Sequence, residues 1–251
     1  MIFQPLCSSS QGNAYVLQDD CTAILIECGV TYKKLQQLSA FRVSGYDACL
    51  ISHEHKDHSG CVKMVIKAGV PVYLSQGTAR ALELPEPLLD MCFEMEAGRK
   101  FQVGSMEILP FAVFHDAEEP LGFCIQSRID NDVFVFAIDT VNIPYNFPGV
   151  NILAAECNFD PEKFAWLQEN VIEGEDLDSI QKRQMRKRII RTMNTHMSID
   201  KLIECLGHID LSQCREIWLM HLSDDNSREN QFIQRVKRAV PRQVIVRACP
   251  K

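Results

Sequence analysis

The chain has 251 residues, of which 46% are hydrophobic and 24% are charged, and its formal net charge is −7. This size and composition are typical of a folded protein with a substantial core, so we expect residues 1–251 to form a single domain. The negative charge argues against a surface covered in nucleic-acid-binding groups, although it leaves room for a local basic groove. The sequence shows no apolar run near the roughly 18 residues of a membrane span and no secretory signal pattern, so we expect no membrane association and a cytoplasmic location.

Eleven cysteines are many for a chain of this length, but their number is odd and no C-x-x-C pair occurs. The odd number and the lack of a secretory signal pattern argue against a disulfide framework, and a cysteine-rich zinc knuckle is the alternative to buried cysteines. We therefore interpret the cysteines as small buried hydrophobic residues in a reducing compartment.

The first half of the chain is predicted to consist mainly of strands separated by turns. Two short apolar runs flank the polar residues 18–20, which indicates a hairpin. Helical spacing over 61–68 predicts a helix that stops at Gly69. Further strands are predicted at residues 48–52, 70–74, 106–114, 122–128 and 133–138, with a short helix at 75–84.

The second half of the chain mixes strands with helices. The predicted helical segments are 160–193, 199–206 and 228–240, and the predicted strands are 152–155, 216–220 and 243–247. A strand-rich half followed by a mixed half favours an α+β fold, with a two-sheet core flanked by helices, over a doubly wound parallel sheet.

Segment 52–60 contains three histidines and one aspartate in the pattern H-x-H-x-D-H. Alternate side chains of an extended chain share one face, so His53 and His55 can bind one metal ion. Once the chain turns, Asp57 and His58 point toward a second position. Imidazole and carboxylate groups suit zinc, manganese or iron, and pairs of such ions activate water for hydrolysis. The pattern predicts a metal site rather than a polar loop rich in histidine.

Four further histidine or aspartate residues lie at the ends of predicted strands or helices. His115, Asp139 and His221 each follow an apolar run directly, and His196 precedes a predicted helix. Loops at strand ends are where folds place reactive groups. A single histidine after a strand is usually an ordinary core or surface residue, but six of the seven histidines fall in these positions. Their coincidence indicates one shared site.

The H-x-H-x-D-H motif, followed in order by His115, Asp139 and His221, resembles the signature of the metallo-β-lactamase-fold hydrolases. The resemblance covers nearly the whole chain. It implies an αββα four-layer sandwich, in which two mixed β-sheets are flanked by helices and the metals lie between the sheets at one edge. It also implies two divalent metal ions, with zinc as the first choice and manganese or iron as alternatives. By this resemblance the first ion is bound by His53, His55 and His115, the second by Asp57, His58 and His221, and both by the bridging Asp139.

Several short segments are similar to the small bacterial and phage exonuclease-like members of that superfamily. They are the Ser-Ser-x-Gly-Asn stretch within 7–13, His-Asp-Ala at 115–117 with Pro-Leu-Gly at 120–122, Thr-His-Met-Ser at 195–198 and His-Leu-Ser at 221–223. This similarity implies a metal-dependent hydrolase of phosphodiester bonds, a DNA or RNA nuclease, with Ser10, Asn13 and Ser223 near the substrate. The chain is short enough to be a minimal version without a large inserted domain.

Two residues are predicted to be catalytic. Asp57, besides binding metal, is placed to orient the nucleophile or to accept its proton. His196 has no metal to bind once the seven ligands are assigned, so we expect it to donate a hydrogen bond to the phosphate or to protonate the leaving oxygen. The alternative for His196 is a polar residue at the start of a helix.

Residues 182–191 carry six positive charges and no negative one, just upstream of His196. On a helix such a run can follow a nucleic-acid backbone, and Arg186 and Lys187 are the candidate phosphate contacts. The alternative is a solvated amphipathic helix. The sequence indicates no aromatic stacking platform, so a sequence-specific binder is not expected.

Two other functions are compatible with the same motif. The metal site could hydrolyse a lactone, a thioester or a β-lactam, in which case neutralising the 182–191 run would leave activity unchanged. A non-catalytic, metal-stabilised binding module is the other alternative, although degenerate members lose ligands and this chain keeps all seven. For the predicted nuclease or phosphodiesterase, the expected partner is a nucleic acid or a small phosphodiester.

Overall fold

The computed structural model describes residues 1–173, 178–223 and 226–251, and within these ranges the strands form two sheets. The first sheet has six strands in sequence order. Its first three strands are antiparallel neighbours, and the last three add on in parallel. The strands are β1 (Ile2–Ser9), β2 (Gly12–Gln18), β3 (Ala23–Ile26), β4 (Ala48–Leu50), β5 (Val72–Ser75) and β6 (Cys92–Met95).

The second sheet has seven strands in the order β13-β12-β11-β10-β9-β8-β7. They are β7 (Phe101–Val103), β8 (Met106–Ala112), β9 (Leu121–Ser127), β10 (Val133–Ala137), β11 (Ile152–Glu156), β12 (Glu216–Met220) and β13 (Ile245–Ala248). Strands β7 to β10 are antiparallel neighbours, whereas β10 to β13 run parallel. The parallel half places the carboxyl ends of β10, β11 and β12 at one edge.

Nine α-helices accompany the sheets within the described ranges. They are α1 (Tyr32–Leu38), α2 (Lys56–Ser59), α3 (Val62–Lys67), α4 (Gln76–Ala81), α5 (Glu86–Leu89), α6 (Pro161–Leu167), α7 (Ser179–Thr195), α8 (Ile199–Leu206) and α9 (Glu229–Ala239). A 3-10 turn at Val43–Gly45 and a π-helical turn at Gln168–Ile172 complete the helical segments of the described ranges.

Three apolar cores separate the layers. Between the sheets, Tyr15 of β2 meets Phe136 of β10, with ring centroids 5.3 Å apart. The outer face of the first sheet packs against α1 and α3, and that of the second sheet packs against α8 and α9. Burial of apolar side chains on both faces of each sheet is the main stabilising term of such a layered fold. The predicted αββα four-layer sandwich is confirmed.

Most predicted elements are present within a few residues of their expected ends, and Ile199–Leu206 and Glu216–Met220 match in full. The predicted helical zone 160–193 divides into α6, the π-helical turn and α7, and its residues 174–177 lie outside the described ranges. Strand β1 was not predicted, because a register shift between Pro5 and Cys7 interrupts its alternation. The Ser-Ser-x-Gly-Asn stretch forms the tight β1–β2 hairpin, in which Ser9 pairs with Gly12.

All eleven cysteines are free thiols, and eight of them are buried. Their expected role as small core residues is confirmed for these eight. Within the described ranges, every helix is too short or too polar to cross a membrane.

Candidate metal centre

The predicted metal ligands converge at one edge of the sandwich, where strands of both sheets end. His53 follows β4, His115 follows β8, Asp139 follows β10 and His221 follows β12. Helix α2 carries the remaining aspartate and histidine of the motif. Two groups of four donors result, with all donor atoms of each group within 4.8 Å of one another. These groups are His53, His55, His115 and Asp139, and Asp57, His58, Asp139 and His221. A third group of four donors within the same distance combines Asp139 and His221 with Glu156 and His196.

The first group has the spacing of ligands around one ion. His55 Nδ1 lies 3.1 Å from His53 Nε2 and 3.2 Å from His115 Nε2. Asp139 Oδ2 lies 3.5 Å and 3.3 Å from the same two Nε2 atoms. A tetrahedron with metal–ligand bonds of about 2.0–2.1 Å has edges of about 3.3 Å. These four atoms therefore surround a space that fits a small divalent ion.

The second group shares Asp139 with the first. Asp139 Oδ2 lies 3.2 Å from His58 Nε2, and Asp57 Oδ2 lies 3.5 Å from His58 Nε2 and 3.8 Å from His221 Nε2. His221 Nε2 is buried and has no hydrogen-bond partner among the described residues, whereas Asp139 Oδ1 lies 2.7 Å from the other ring nitrogen, His221 Nδ1. A buried ring nitrogen without a partner is costly, and a cation at that nitrogen removes the cost. The donor set fits a divalent metal.

Outer contacts fix the orientation of the histidine rings. His115 Nδ1 donates to the carbonyl oxygen of Thr195 at 2.9 Å, and His53 Nδ1 is hydrogen-bonded to Ser52 Oγ at 2.9 Å. His58 Nδ1 lies 3.7 Å from Glu27 Oε2. The two hydrogen bonds at the far nitrogens of His115 and His53 hold the tautomers and aim the near nitrogens into the donor group. Glu27 was not predicted from the sequence.

The motif loop is held by an unusually close backbone contact at Gly29. A Cβ atom on this glycine would lie 1.7 Å from the carbonyl oxygen of Asp57, so no other residue fits there. The backbone N–H of the preceding Cys28 donates to the carbonyl of His58 at 2.7 Å. The segment after β3 therefore fixes where Asp57 and His58 point.

Two of the ligands themselves have strained backbones. Asp139 has φ = 47° and His221 has φ = 52°, and Glu27 behind the site has φ = 63°. The left-handed region costs a non-glycine residue of order 1 kcal/mol or more, and such residues cluster at functional sites. The strain turns each side chain sharply at the end of its strand and into the site.

The charges of the site oppose one another strongly. Burial disfavours the charged form of His221, but the Asp139 and Glu156 carboxylates outweigh it and raise the pKa of His221 to about 10. Burial also disfavours ionised Asp139, yet His221 and His58 hold the pKa of this carboxyl well below its usual range. Burial lowers the pKa of His53, and the charge of His58 adds to that effect. Buried carboxylates of this kind require nearby positive charge.

Glu156 and His196 form a further pair beside the ligands. Glu156 ends β11, is fully buried, and accepts a hydrogen bond of 2.6 Å from His196 Nδ1. Burial lowers the pKa of His196, but the Glu156 charge outweighs it and raises that pKa. Glu156 Oε1 also lies 3.1 Å from His221 Nδ1. Glu156 was not predicted from the sequence, although it lies at the end of an apolar run, which is the signal that identified Asp139.

A cavity of about 210 Å³ opens beside this pair. It is lined by Ser10, Ser223, His196, His221, Arg188 and Arg191, among others. The structure thus brings the predicted Ser10 and Ser223 to the same opening as the candidate catalytic histidine. Arg191 Nε also donates to Asp116 Oδ2 at 2.9 Å, and Asp116 Oδ1 lies 3.3 Å from His115 Nε2.

Three predicted substrate contacts are placed elsewhere. Asn13 is fully buried, and its Nδ2 donates to the carbonyl of Asp57 at 3.1 Å, so it supports the motif loop. Arg186 and Lys187 are exposed on α7, but the residues of this helix that line the cavity include Arg188 and Arg191 instead. With 3.6 residues per turn, Arg186 lies on roughly the opposite side of α7 from Arg188, whereas Lys187 lies one turn before Arg191 on a similar face but does not line the cavity.

We expect a saturating divalent ion to raise the Tm of the metal-free protein by about 5–10 °C, because an ion that binds only the folded state stabilises it by mass action. Asp139→Ala should lose most of this shift. The matched control is His208→Ala, which removes an exposed histidine outside the donor groups. Thermal unfolding with zinc, manganese and iron(II) is the measurement, and an unchanged Tm with all three would contradict a metal site.

A family model described as the beta-lactamase superfamily domain matches residues 22–222. Exodeoxyribonuclease YycJ from Bacillus anthracis is 24% identical over 240 residues, which cover 90% of this chain and 83% of that protein. Exodeoxyribonuclease WalJ from Streptococcus pneumoniae serotype 2 is 27% identical over 241 residues, covering 88% and 81%. The crystal structure of the metallo-beta-lactamase fold protein YhfI from Bacillus subtilis superposes with a TM-score of 0.71 at 15% identity, covering 99% of this chain and 96% of that one. The fold, the converging donors and the match of the family model agree, and the chain belongs to the beta-lactamase superfamily.

Proposed function

We propose that the protein is a metal-dependent phosphodiesterase that cleaves nucleic acid, with single-stranded DNA as its first candidate substrate. The observation that carries the proposal is the arrangement around Asp139, whose carboxylate is shared by both donor groups, beside the Glu156–His196 pair. The two relatives named exodeoxyribonucleases support DNA as the substrate. We further propose that residues 1–251 act as one domain.

The proposed cofactor is a pair of divalent ions, with zinc as the first choice because imidazole nitrogens and carboxylate oxygens in tetrahedral spacing suit it. His53, His55 and His115 would hold one ion, and Asp57, His58 and His221 the other. When bound, such a pair supplies an activated water and neutralises the charge of a phosphodiester.

We assign the two proton transfers of the reaction to two different side chains, Asp57 and His196. Burial disfavours ionised Asp57, but its contact with His58 outweighs this and lowers its pKa, so the group is ionised and its charge can orient the attacking water. We assign the same carboxylate as the acceptor of the water's proton, because it lies within the second donor group. His196 Nδ1 is committed to Glu156, which leaves Nε2 to face the substrate. With its raised pKa, His196 can protonate the leaving oxygen.

Arg188 and Arg191 are the proposed phosphate contacts, because both line the cavity next to His196. Replacing both by alanine should weaken binding of a single-stranded oligodeoxynucleotide and reduce the salt dependence of binding by about one ion for each lost contact. The matched variant Arg186→Ala/Lys187→Ala removes the same charge from the same helix and should have a smaller effect. Fluorescence anisotropy across a salt series measures both, and the opposite ranking would restore Arg186 and Lys187 as the phosphate contacts.

The substrate class is tested by turnover. The metal-loaded protein is offered an end-labelled oligodeoxynucleotide, an oligoribonucleotide, a lactone and a thioester at equal concentrations. We expect cleavage of a nucleic acid and no comparable turnover of the two esters. Efficient hydrolysis of a lactone or thioester, with both oligonucleotides intact, would overturn the proposal.

A further inference from the structure

Helix α6, the π-helical turn and α7 form an arm with its own small apolar core. Phe159, Phe164, Ile172 and Ile189 are buried in it, apart from the three cores of the sandwich. The rings of Phe159 and Phe164 stack with centroids 4.6 Å apart at an interplanar angle of 14°. The arm therefore has a packed interior that can support a binding surface.

A cavity of about 690 Å³ lies between α6 and α7 of this arm. Leu167 and Met185 give it apolar walls and are only partly buried, so both side chains face the opening. Gln181 and Gln184 line the same space, and Gln181 Oε1 accepts a hydrogen bond from the backbone N–H of Asp178 at 3.2 Å. Cavities of several hundred Å³ with apolar walls and a few polar groups are typical of small-ligand sites.

This cavity adjoins the metal-centre cavity, since Arg188 and Asn226 line both of them. A ligand in the larger cavity would therefore lie close to the space lined by His196 and His221. The geometry combines Arg188 at the junction of the two cavities with a larger cavity lined by apolar side chains, two glutamines and Lys163.

We propose that the cavity between α6 and α7 receives an unstacked nucleobase of the strand whose phosphate lies at the metal centre. This inference rests on the proposed function and extends it to a base-binding subsite. The apolar walls suit the faces of a heterocycle, the Gln184 amide suits its polar edge, and Arg188 at the junction suits the phosphate. The adjacency of the two cavities, which share Arg188, favours a nucleotide over other apolar ligands, because a nucleotide joins a phosphate to a planar ring.

The proposed base subsite affects whether single-stranded or duplex DNA is the better substrate. A base inside a duplex is paired and stacked, and moving it into a pocket costs a few kcal/mol, whereas a single strand offers its bases at little cost. The cavity therefore favours single-stranded ends over duplex interiors. The Gln184 amide can rotate to match different base edges, so strong sequence preference is not expected.

The test compares two labelled ligands of equal length and charge, a pentathymidylate and a chain of five abasic tetrahydrofuran phosphates. Both carry phosphorothioate linkages to slow cleavage, and fluorescence anisotropy measures their binding to the metal-loaded protein. We expect the pentathymidylate to bind about ten- to a hundredfold more tightly. Met185→Asp should lose most of this preference, whereas Met193→Asp, on the same helix but outside the cavity lining and 52% exposed, should keep it.

Equal binding of the two ligands by the wild type would overturn the base subsite, whether or not the variants fold. A preference that Met185→Asp and Met193→Asp retain equally would also overturn it, since the base would then bind elsewhere. Cleavage of unmodified pentathymidylate is followed in parallel. If the protein cleaves pentathymidylate but binds both ligands equally, only the proposed base subsite is wrong. If it prefers pentathymidylate but does not cleave it, the proposed nuclease activity is wrong and the subsite stands.

Discussion

Asp57→Asn is expected to lower kcat/KM for a single-stranded oligodeoxynucleotide by about a thousandfold. The substitution keeps the shape of the side chain and removes its charge. Asp57 Oδ2 lies 3.5 Å from His58 Nε2 and 3.8 Å from His221 Nε2, so the charge serves the second donor group as well as the attacking water. Loss of the charge therefore removes a ligand and a proton acceptor together.

Metal content measured on the same sample separates the two contributions of Asp57. A variant that keeps both ions and still loses activity has lost the proton acceptor, whereas a variant with one ion has lost the ligand. Asp90→Asn, which changes an exposed carboxylate at the end of α5, is the matched control and should retain full activity. Retention of more than a tenth of the wild-type rate by the Asp57 variant would contradict its assigned roles.

His196→Ala is expected to lower kcat for DNA by about a hundredfold or more, because it removes the proposed general acid. The loss should be far smaller for the 4-nitrophenyl ester of a nucleotide, whose leaving group departs without a proton. Steady-state kinetics on the two substrates makes the comparison within one variant. An equal loss on both substrates would show that His196 positions the substrate or the ions instead.

Glu156→Gln tests the assignment of His196 as the general acid through the pH dependence of kcat. The Glu156 charge raises the pKa of His196 against the opposing effect of burial. Without that charge, His196 should release its proton at lower pH, so the alkaline limb of kcat should move to lower pH. If the alkaline limb of kcat stays at the same pH, His196 is not the acid whose protonation limits kcat.

The donors of the metal centre were predictable because each follows an apolar run or lies in the compact motif. Glu156 obeys the same rule, but an acidic residue after a strand is common and carries no second signal in the sequence. Asn13 illustrates a different limit. Its place in a polar turn suggested a surface contact, whereas the paired β1–β2 hairpin turns its side chain inward, against the carbonyl of Asp57.

The four-layer order was predictable from strand and helix patterns together with the resemblance, but the rotation of α7 was not. Most of its side chains are exposed, so few apolar positions mark the face that packs. The choice between Arg186 and Arg188 depends on that rotation, which the packing of Ile189 in the α6–α7 arm sets. Strand β6 was missed for a related reason, since Phe93 and Glu94 are both exposed in it.

The most direct test of a metal-dependent nuclease is degradation of end-labelled single-stranded DNA by the metal-loaded protein, beside the chelator-treated protein and Asp57→Asn. We predict a ladder of shortened products from the metal-loaded wild type alone, and restoration of the ladder when zinc or manganese is returned to the chelated sample. Intact DNA in every lane with both metals would contradict DNA cleavage at this centre. Equal cleavage by the wild type and Asp57→Asn would contradict the assignment of the centre as the site of catalysis.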